Sequence, residues 1–199
     1  PINTKRFNAI TGELIRECMD VLEAIRNRCS VRQFKSEIIP DDILLKILEA
    51  AKWAPSPFNT QPWEFIIIKD KKTLADISRF ARYSGYLVDV PMAIAVIVPP
   101  IGIKFSWVEK IGEPRFAAAM AVQNMMLAAW ELGIGTCWVS IERDKVARIL
   151  NVPDTHFVLT VIPIGFPETI PPKHDEKFRK RIDEIIFHEK YGEKIDHHE

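Results

Sequence analysis

Cysteine is scarce in this sequence, and neither sign of charge is in excess. The three cysteines, Cys18, Cys29 and Cys137, are odd in number, widely spaced and without a C-x-x-C pair. That pattern excludes a disulfide framework and a zinc or iron–sulfur site, and a reducing cytoplasm is the compartment expected. A net charge of +0 gives no general pull toward nucleic acid or an anionic membrane, so no nucleic-acid partner is expected. The most apolar helical run, Phe116–Trp130, contains Gln123 and Asn124 and falls short of the ~20 residues that span a bilayer. No membrane segment is expected, and Lys5, Arg6, Glu13 and Arg16 interrupt any hydrophobic leader. Gln and Asn are few beside abundant Ile, Lys and Glu, a bias of heat-adapted proteins.

Familiar catalytic signatures are missing too. There is no G-x-S-x-G and no Walker loop, and Gly133-Ile134-Gly135 stops short of a G-x-G-x-x-G fingerprint. The histidines His156, His174, His188, His197 and His198 have no acidic or cysteine partners at metal spacing. No paired carboxylates stand out, so chemistry by side-chain acid and base has little to rest on.

The chain of 199 residues, 47% apolar and 27% charged, suffices for one substantial core, and no Gly/Ser-rich linker divides it. Pro1–Gly12 show no clear period and read as an arm, and the chain is expected to form one domain. From Glu13, the set Leu14, Cys18, Val21, Leu22 and Ile25 predicts a first helix ending at Arg26-Asn27-Arg28. Pro40-Asp41-Asp42 starts a second, with Ile43, Leu44, Ile47, Leu48 and Ala51 inward. Phe65-Ile66-Ile67-Ile68 reads as a buried strand within Glu64–Lys69, and Asp70 caps a third helix through about Arg82. Met92–Val98 is continuous and β-branched, a central strand covered on both faces. Pro99–Pro114 is irregular, either a surface excursion anchored by Phe105 and Trp107 or a lid over a planar substrate.

Ala117–Leu132 is a helix apolar nearly all round, expected at the centre of the molecule or in a subunit interface. Gly133 stops it, and Gly135 permits a close backbone approach. Cys137-Trp138-Val139 reads as a short strand and Arg143–Leu150 as a short helix. Phe157–Phe166 is a strand in which Pro163 marks an end or an edge. Beyond Pro171 lie Lys173, His174, Lys177, Arg179, Lys180 and Arg181, a solvated helix start or a set of anion contacts. Ile182, Ile185 and Ile186 then suggest a helix or an extended arm.

Two stretches carry polar groups in useful arrangements. In Arg28-Cys29-Ser30-Val31-Arg32 an extended backbone puts Arg28, Ser30 and Arg32 on one face, where two guanidiniums flanking a hydroxyl suit a phosphate or form a solvated edge. In Pro55-Ser56-Pro57-Phe58-Asn59-Thr60-Gln61-Pro62-Trp63 the prolines stiffen the loop and bias Ser56 and Gln61 toward extended geometry. Ser56, Asn59 and Gln61 then offer hydroxyl and amide groups to a flat polar ligand, unless the stretch is only a turn. Together with Phe58, Trp63 and Trp138 the set suits a phosphorylated heteroaromatic molecule, one that brings its own chemistry.

At these residues the sequence resembles the nitroreductase family of FMN-dependent oxidoreductases. The matching pieces are Arg28-x-Ser30-x-Arg32-x-Phe34, Pro55-Ser56-x-x-Asn59-x-Gln61-Pro62-Trp63, Leu132-Gly133-x-Gly135-Thr136-Cys137-Trp138 and Lys177-x-Arg179. They stand in the family's order and cover residues 20 to about 190. The resemblance implies an α+β fold, a mostly antiparallel sheet flanked by helices, in an interlocked homodimer joined through long helices such as Ala117–Leu132. It implies that the Arg28, Cys29, Ser30 and Arg32 segment holds the FMN phosphate and ribityl chain, with Lys177 and Arg179 closing on the phosphate. Pro55, Ser56, Pro57, Asn59 and Gln61 would meet the isoalloxazine from the partner subunit, and the backbone of Trp138, Val139 and Ser140 would lie near N5 and O4.

The activity implied is ping-pong transfer from NADH or NADPH to a flat aromatic acceptor: a nitroaromatic, a quinone or a free flavin. Dehalogenation, flavin fragmentation to dimethylbenzimidazole and non-catalytic FMN sensing are the alternatives. The sequence departs from the family at Pro57, where a second serine is common, and at Ser140 and Ile141 beside N5. The resemblance also implies that residues 1–18 are an N-terminal extension ahead of the family's usual start near Met19, with 19–199 a single FMN-binding domain.

Overall fold

The computed structural model describes residues 5–7, 14–16, 19–170, 172 and 178–193. Near the start, β1 (Lys5–Phe7) pairs antiparallel with β2 (Leu14–Arg16). The predicted first helix is therefore shorter than its apolar spacing suggested. Helix α1 runs only Val21–Asn27, because the Asp20 carboxylate accepts the Leu22 N–H at 2.8 Å and fixes the start. Its orientation also differs: Ala24 is buried, whereas Val21, Leu22 and Ile25 are more than half exposed.

Helix α2 (Asp41–Lys52) buries Leu44, Ile47 and Ala51 as its spacing predicts. A 3₁₀ turn at Pro57–Asn59 leads to β3 (Glu64–Ile68), then α3 (Lys71–Ser78) and β4 (Met92–Val98). Asp70 caps α3 by accepting the Thr73 N–H at 2.8 Å, and the helix ends at Ser78, before Arg82. The segment expected to be irregular folds in part, into a 3₁₀ turn and α4 (Ser106–Lys110) anchored by buried Val108. Then come α5 (Glu113–Glu131), β5 (Gly135–Thr136), α6 (Arg143–Ile149), β6 (Phe157–Gly165) and the short α7 (Ile182–Ile185).

The main sheet has the order β3-β4-β6-β5, antiparallel throughout. Every residue of β4 is buried, and strand alternation divides its side chains between two layers. Met92 and Ile94 pack with α2 and α5 through Leu44, Ile47, Ala121, Met125 and Ala129. Ala93, Ala95 and Ile97 pack on the other face with Leu74 and Ile77 of α3 and Val146 of α6. Each such aliphatic side chain contributes about 1.5–3 kcal/mol relative to exposure. This is the expected α+β architecture, with α5 at the centre.

Two strand expectations need correction. β3 is an edge strand with Ile67 exposed, and only Ile68 is buried, because no described strand pairs beyond it. Pro163 lies inside the sheet, paired with Ala93 of β4. It is tolerated because β5 pairs only with Ile164 and Gly165 and the next contact is the Val139–Val161 bridge, so its missing N–H falls between them.

Candidate functional site

Arg28–Phe34 is extended, with Cys29 and Val31 buried and Arg32 on the outer side, as the period of two requires. A parallel bridge joins Ser30 to Thr136, and the Val31 N–H donates to the Thr136 carbonyl at 3.0 Å. Gly135 makes the closeness possible. A Cβ there would lie 2.8 Å from the Val31 side chain, a contact that real side chains do not make. Gly133, at φ +77, ends α5, and its N–H donates to the Trp130 carbonyl. The Arg28 and Gly133 motifs are therefore one physical unit.

Within that unit the Arg32 guanidinium donates only to the nearby Ser30 carbonyl, at 3.4 Å. Among the described residues neither Arg28 nor Arg32 has a carboxylate partner. Two cations without counter-charges beside a hydroxyl are a donor set for an anion. Cys29 plays a different part: its side chain is buried, and burial raises its thiol pKa despite the opposing charges of Arg28 and Arg32. It is a packing thiol. The Tyr86 phenol is held well above its ordinary range by burial first and the Cys137 thiol second, with Ser84 and Arg32 opposing, so it remains a neutral OH.

The proline-rich loop is stiffer and more strained than its sequence indicates. Ser56 is extended at φ −147, as a residue before proline should be. Gln61, which also precedes a proline, is not: its φ is +48, and Phe58 and Asn59 have φ of +51 and +56. The cause is a local hydrogen-bond set that outweighs the proline bias. The Gln61 N–H donates to Ser56 Oγ at 3.0 Å, the Thr60 hydroxyl to the Pro57 carbonyl at 2.8 Å, and the Trp63 N–H to the Gln61 carbonyl at 2.8 Å. Ser56 is thus partly spent on the loop itself. Asn59 and Gln61 remain exposed, Pro55 is exposed, and Pro57 opens the 3₁₀ turn.

Residues 137–140 are not the short strand expected, since regular pairing stops at Thr136. Val139 is buried, and its N–H already donates to the Val161 carbonyl at 3.2 Å. Its carbonyl accepts the buried Thr160 hydroxyl at 2.9 Å, and that of Ser140 accepts the Arg82 N–H at 2.9 Å. Trp138 and Ser140 are exposed, and among the described residues no acceptor takes their N–H groups. Thr160 was not anticipated, although a lone hydroxyl inside an apolar strand is a usable signal. Lys177 lies outside the described residues. Arg179 is exposed, and no hydrogen bond or ion pair joins it to Arg28–Arg32.

No hydrogen bond joins the Ser56–Gln61 loop to the Arg28 unit within this chain. Two clefts lie elsewhere, one of about 200 Å³ lined by residues that include Pro99, Glu109, Arg115 and Phe157 and one along α1.

Similarity to known proteins decides what this arrangement belongs to. A model of the nitroreductase family matches residues 25–89 and 92–166. The chain belongs to that family. Among its nitroreductase relatives, a candidate NADH dehydrogenase/NAD(P)H nitroreductase of Methanothermobacter thermautotrophicus is 33% identical over 79% of this chain and 82% of its own length. A candidate NAD(P)H nitroreductase of Bacillus subtilis is 31% identical over 87% and 98%. An FMN-dependent nitroreductase from Clostridium difficile superposes with a TM-score of 0.68 at 27% identity, covering 78% of this chain and 92% of that one. Lower similarity reaches an iodotyrosine deiodinase of Thermotoga neapolitana, 27% over 75% and 89%, and a 5,6-dimethylbenzimidazole synthase of Rhodospirillum rubrum, 26% over 73% and 81%. The nitroreductase assignment makes the chain an oxidoreductase and agrees with the α+β fold. No helix among the described residues is long and apolar enough to cross a membrane.

Proposed function

We propose that this chain is an FMN-dependent oxidoreductase that takes electrons from NADH or NADPH and delivers them to a flat aromatic acceptor, working in the cytoplasm as a homodimer. The observation that carries the reading is the joining of Arg28, Ser30 and Arg32 to the Gly135–Thr136 backbone, with both guanidiniums lacking a carboxylate. This donor set fits the phosphate and ribityl chain of FMN.

FMN, when bound, supplies the two-electron chemistry by which NAD(P)H is oxidised and a nitroaromatic, quinone or free flavin is reduced in two half-reactions. The chain binds and orients. Arg28, Arg32 and the Ser30 hydroxyl hold the anionic end, with Lys177 and Arg179 as further cations. Asn59 and Gln61, on a loop whose backbone bonds fix their direction, address the polar edge of the ring from the partner subunit. The unpaired N–H groups of Trp138 and Ser140 supply donors beside it; the buried Val139 N–H is committed to Val161 and supplies none. Thr160 holds this backbone from below.

The homodimer is supported by apolar surface that one chain leaves uncovered: Val21, Leu22 and Ile25 on α1, Leu45 and Trp53 around α2, and Phe116 and Met120 on α5. On α5, Ala117, Ala118, Ala121, Val122, Met125, Met126 and Ala129 are taken up by the chain's own core.

A visible absorption spectrum after FMN incubation and desalting, then anaerobic addition of NADH and of NADPH, tests the reading. Retained flavin that bleaches with either donor supports it and names the donor. Flavin that stays oxidised with both would favour a sensor, and loss of all flavin would overturn the site.

A further inference from the structure

The loop bearing Asn59 and Gln61 is tied to a distant part of the chain by aromatic rings. The Phe58 ring stacks on Phe105 with centroids 5.0 Å apart and planes at 22°, and meets the edge of Trp107 at 6.2 Å and 79°. Phe105 and Trp107 belong to the segment between β4 and α5, read from sequence as a lid or a surface excursion. Phe58 itself is 66% exposed and holds φ at +51.

A left-handed backbone is unfavourable for a bulky side chain, and such a residue persists only where its surroundings impose it. The loop's internal bonds account for its neighbours: Asn59 N–H to the Ser56 carbonyl at 3.1 Å, Thr60 N–H to the Pro57 carbonyl at 3.0 Å, and Gln61 N–H to Ser56 Oγ. The first two close turns in which Phe58 is a central residue, so they favour its positive φ as well. They leave its side chain unheld, and among the described residues its ring contacts are those with Phe105 and Trp107.

We infer that Phe105 and Trp107 are positioning residues for the cofactor loop: by clamping Phe58 in its left-handed conformation they hold the Asn59 and Gln61 amides in the geometry that binds the flavin. The inference rests on the FMN reading above. It assigns the 99–114 segment a role in cofactor binding as well as any role in covering the acceptor. An acceptor that draws Phe105 off Phe58 would also loosen the amide contacts, so occupancy of the acceptor pocket and grip on the cofactor are coupled.

The test is the FMN dissociation constant, followed by quenching of flavin fluorescence, in Trp107→Ala, Phe105→Leu and the double variant, with melting temperature as the check on folding. Trp107 is 55% exposed and Phe105 half-buried, so these substitutions leave the core intact. Each should raise Kd by about two- to tenfold, the range one aromatic pair supplies. Phe58→Gly removes the need for the clamp, because glycine takes positive φ freely. In that background the lid substitutions should change Kd no further, a non-additivity specific to the clamp. Undiminished FMN binding in the double lid variant, or full additivity with Phe58→Gly, would overturn the inference. Asn59→Ala separates the two ideas: if it too leaves FMN binding intact, the site reading fails first.

Discussion

Phe58 and Phe105 stack at 5.0 Å although one belongs to the turn after α2 and the other to the segment after β4. Their contact ties the proline-rich loop to the segment between β4 and α5. Among the described residues no hydrogen bond joins either of them to the Arg28–Thr136 unit.

Arg28→Ala should weaken FMN binding by about 1.5–3 kcal/mol, the value of a hydrogen bond to a charged group. Arg28→Lys should recover only part, since an ammonium lacks the paired donors of guanidinium. Equilibrium titration with FMN checks both, and unchanged affinity in Arg28→Ala would remove this residue from the phosphate site.

Gly135→Ala places a methyl 2.8 Å from Val31. Overpacking of this kind costs about 1–3 kcal/mol, and here it pushes apart the segments bridged by Ser30 and Thr136. Both the denaturation midpoint and FMN affinity should fall together. A loss of stability with normal affinity would mean that the cradle tolerates the separation.

Asp70 gives a pH signature. The Thr73 hydroxyl, then the Thr73 N–H, hold its carboxyl below the ordinary value. A depressed folded-state pKa stabilises the fold above the unfolded pKa, and that contribution is lost as pH falls through the folded one. The melting temperature of Asp70→Ala should therefore lie below that of the parent at pH 7, with the gap closing as pH falls below the ordinary aspartate value of about 4. A gap independent of pH would assign the effect to something other than the ionised cap.

The exposed face of α1 carries the test of assembly. Leu22→Asp with Ile25→Asp places charge on side chains that are more than half exposed in the single chain. Under the proposed homodimer with sites drawn from two chains, sedimentation should show a monomer for the variant and a dimer for the parent, and FMN retention should fall with the loss of the dimer. A monomeric variant that keeps its flavin would place the whole site in one subunit.

Much of this was legible in the residues. The continuous apolar run of β4, the acidic start of α2 and the Asp70 cap each follow from local chemistry, and the structure bears them out. The close approach at Gly135 was readable as a requirement, though not its partner Val31, which lies far off in sequence. What escaped were competitions between signals. Apolar spacing placed α1 too early and turned it inward, because Asp20 decides where it starts. Proline bias predicted an extended Gln61, yet Ser56 Oγ captures its N–H and turns it left-handed. Pro163 suggested an edge because the gap between β5 and the Val139 bridge is a tertiary fact. The Phe58 clamp is equally invisible, since nothing local pairs residue 58 with residue 105.

The bridge between Ser30 and Thr136 has a kinetic consequence. Its two segments stand on either side of α2, β3, α3, β4, α4 and α5 in the chain, so closing it carries the loop entropy of the whole Ser30–Thr136 stretch. The antiparallel pairing of β3 with β4 and the packing of α2 on α5 span shorter separations and are expected to form before it. On that order the proposed anion cradle should assemble late in folding, and a ligand that bridges Arg28 and Thr136 should stabilise the finished fold without hastening the early steps.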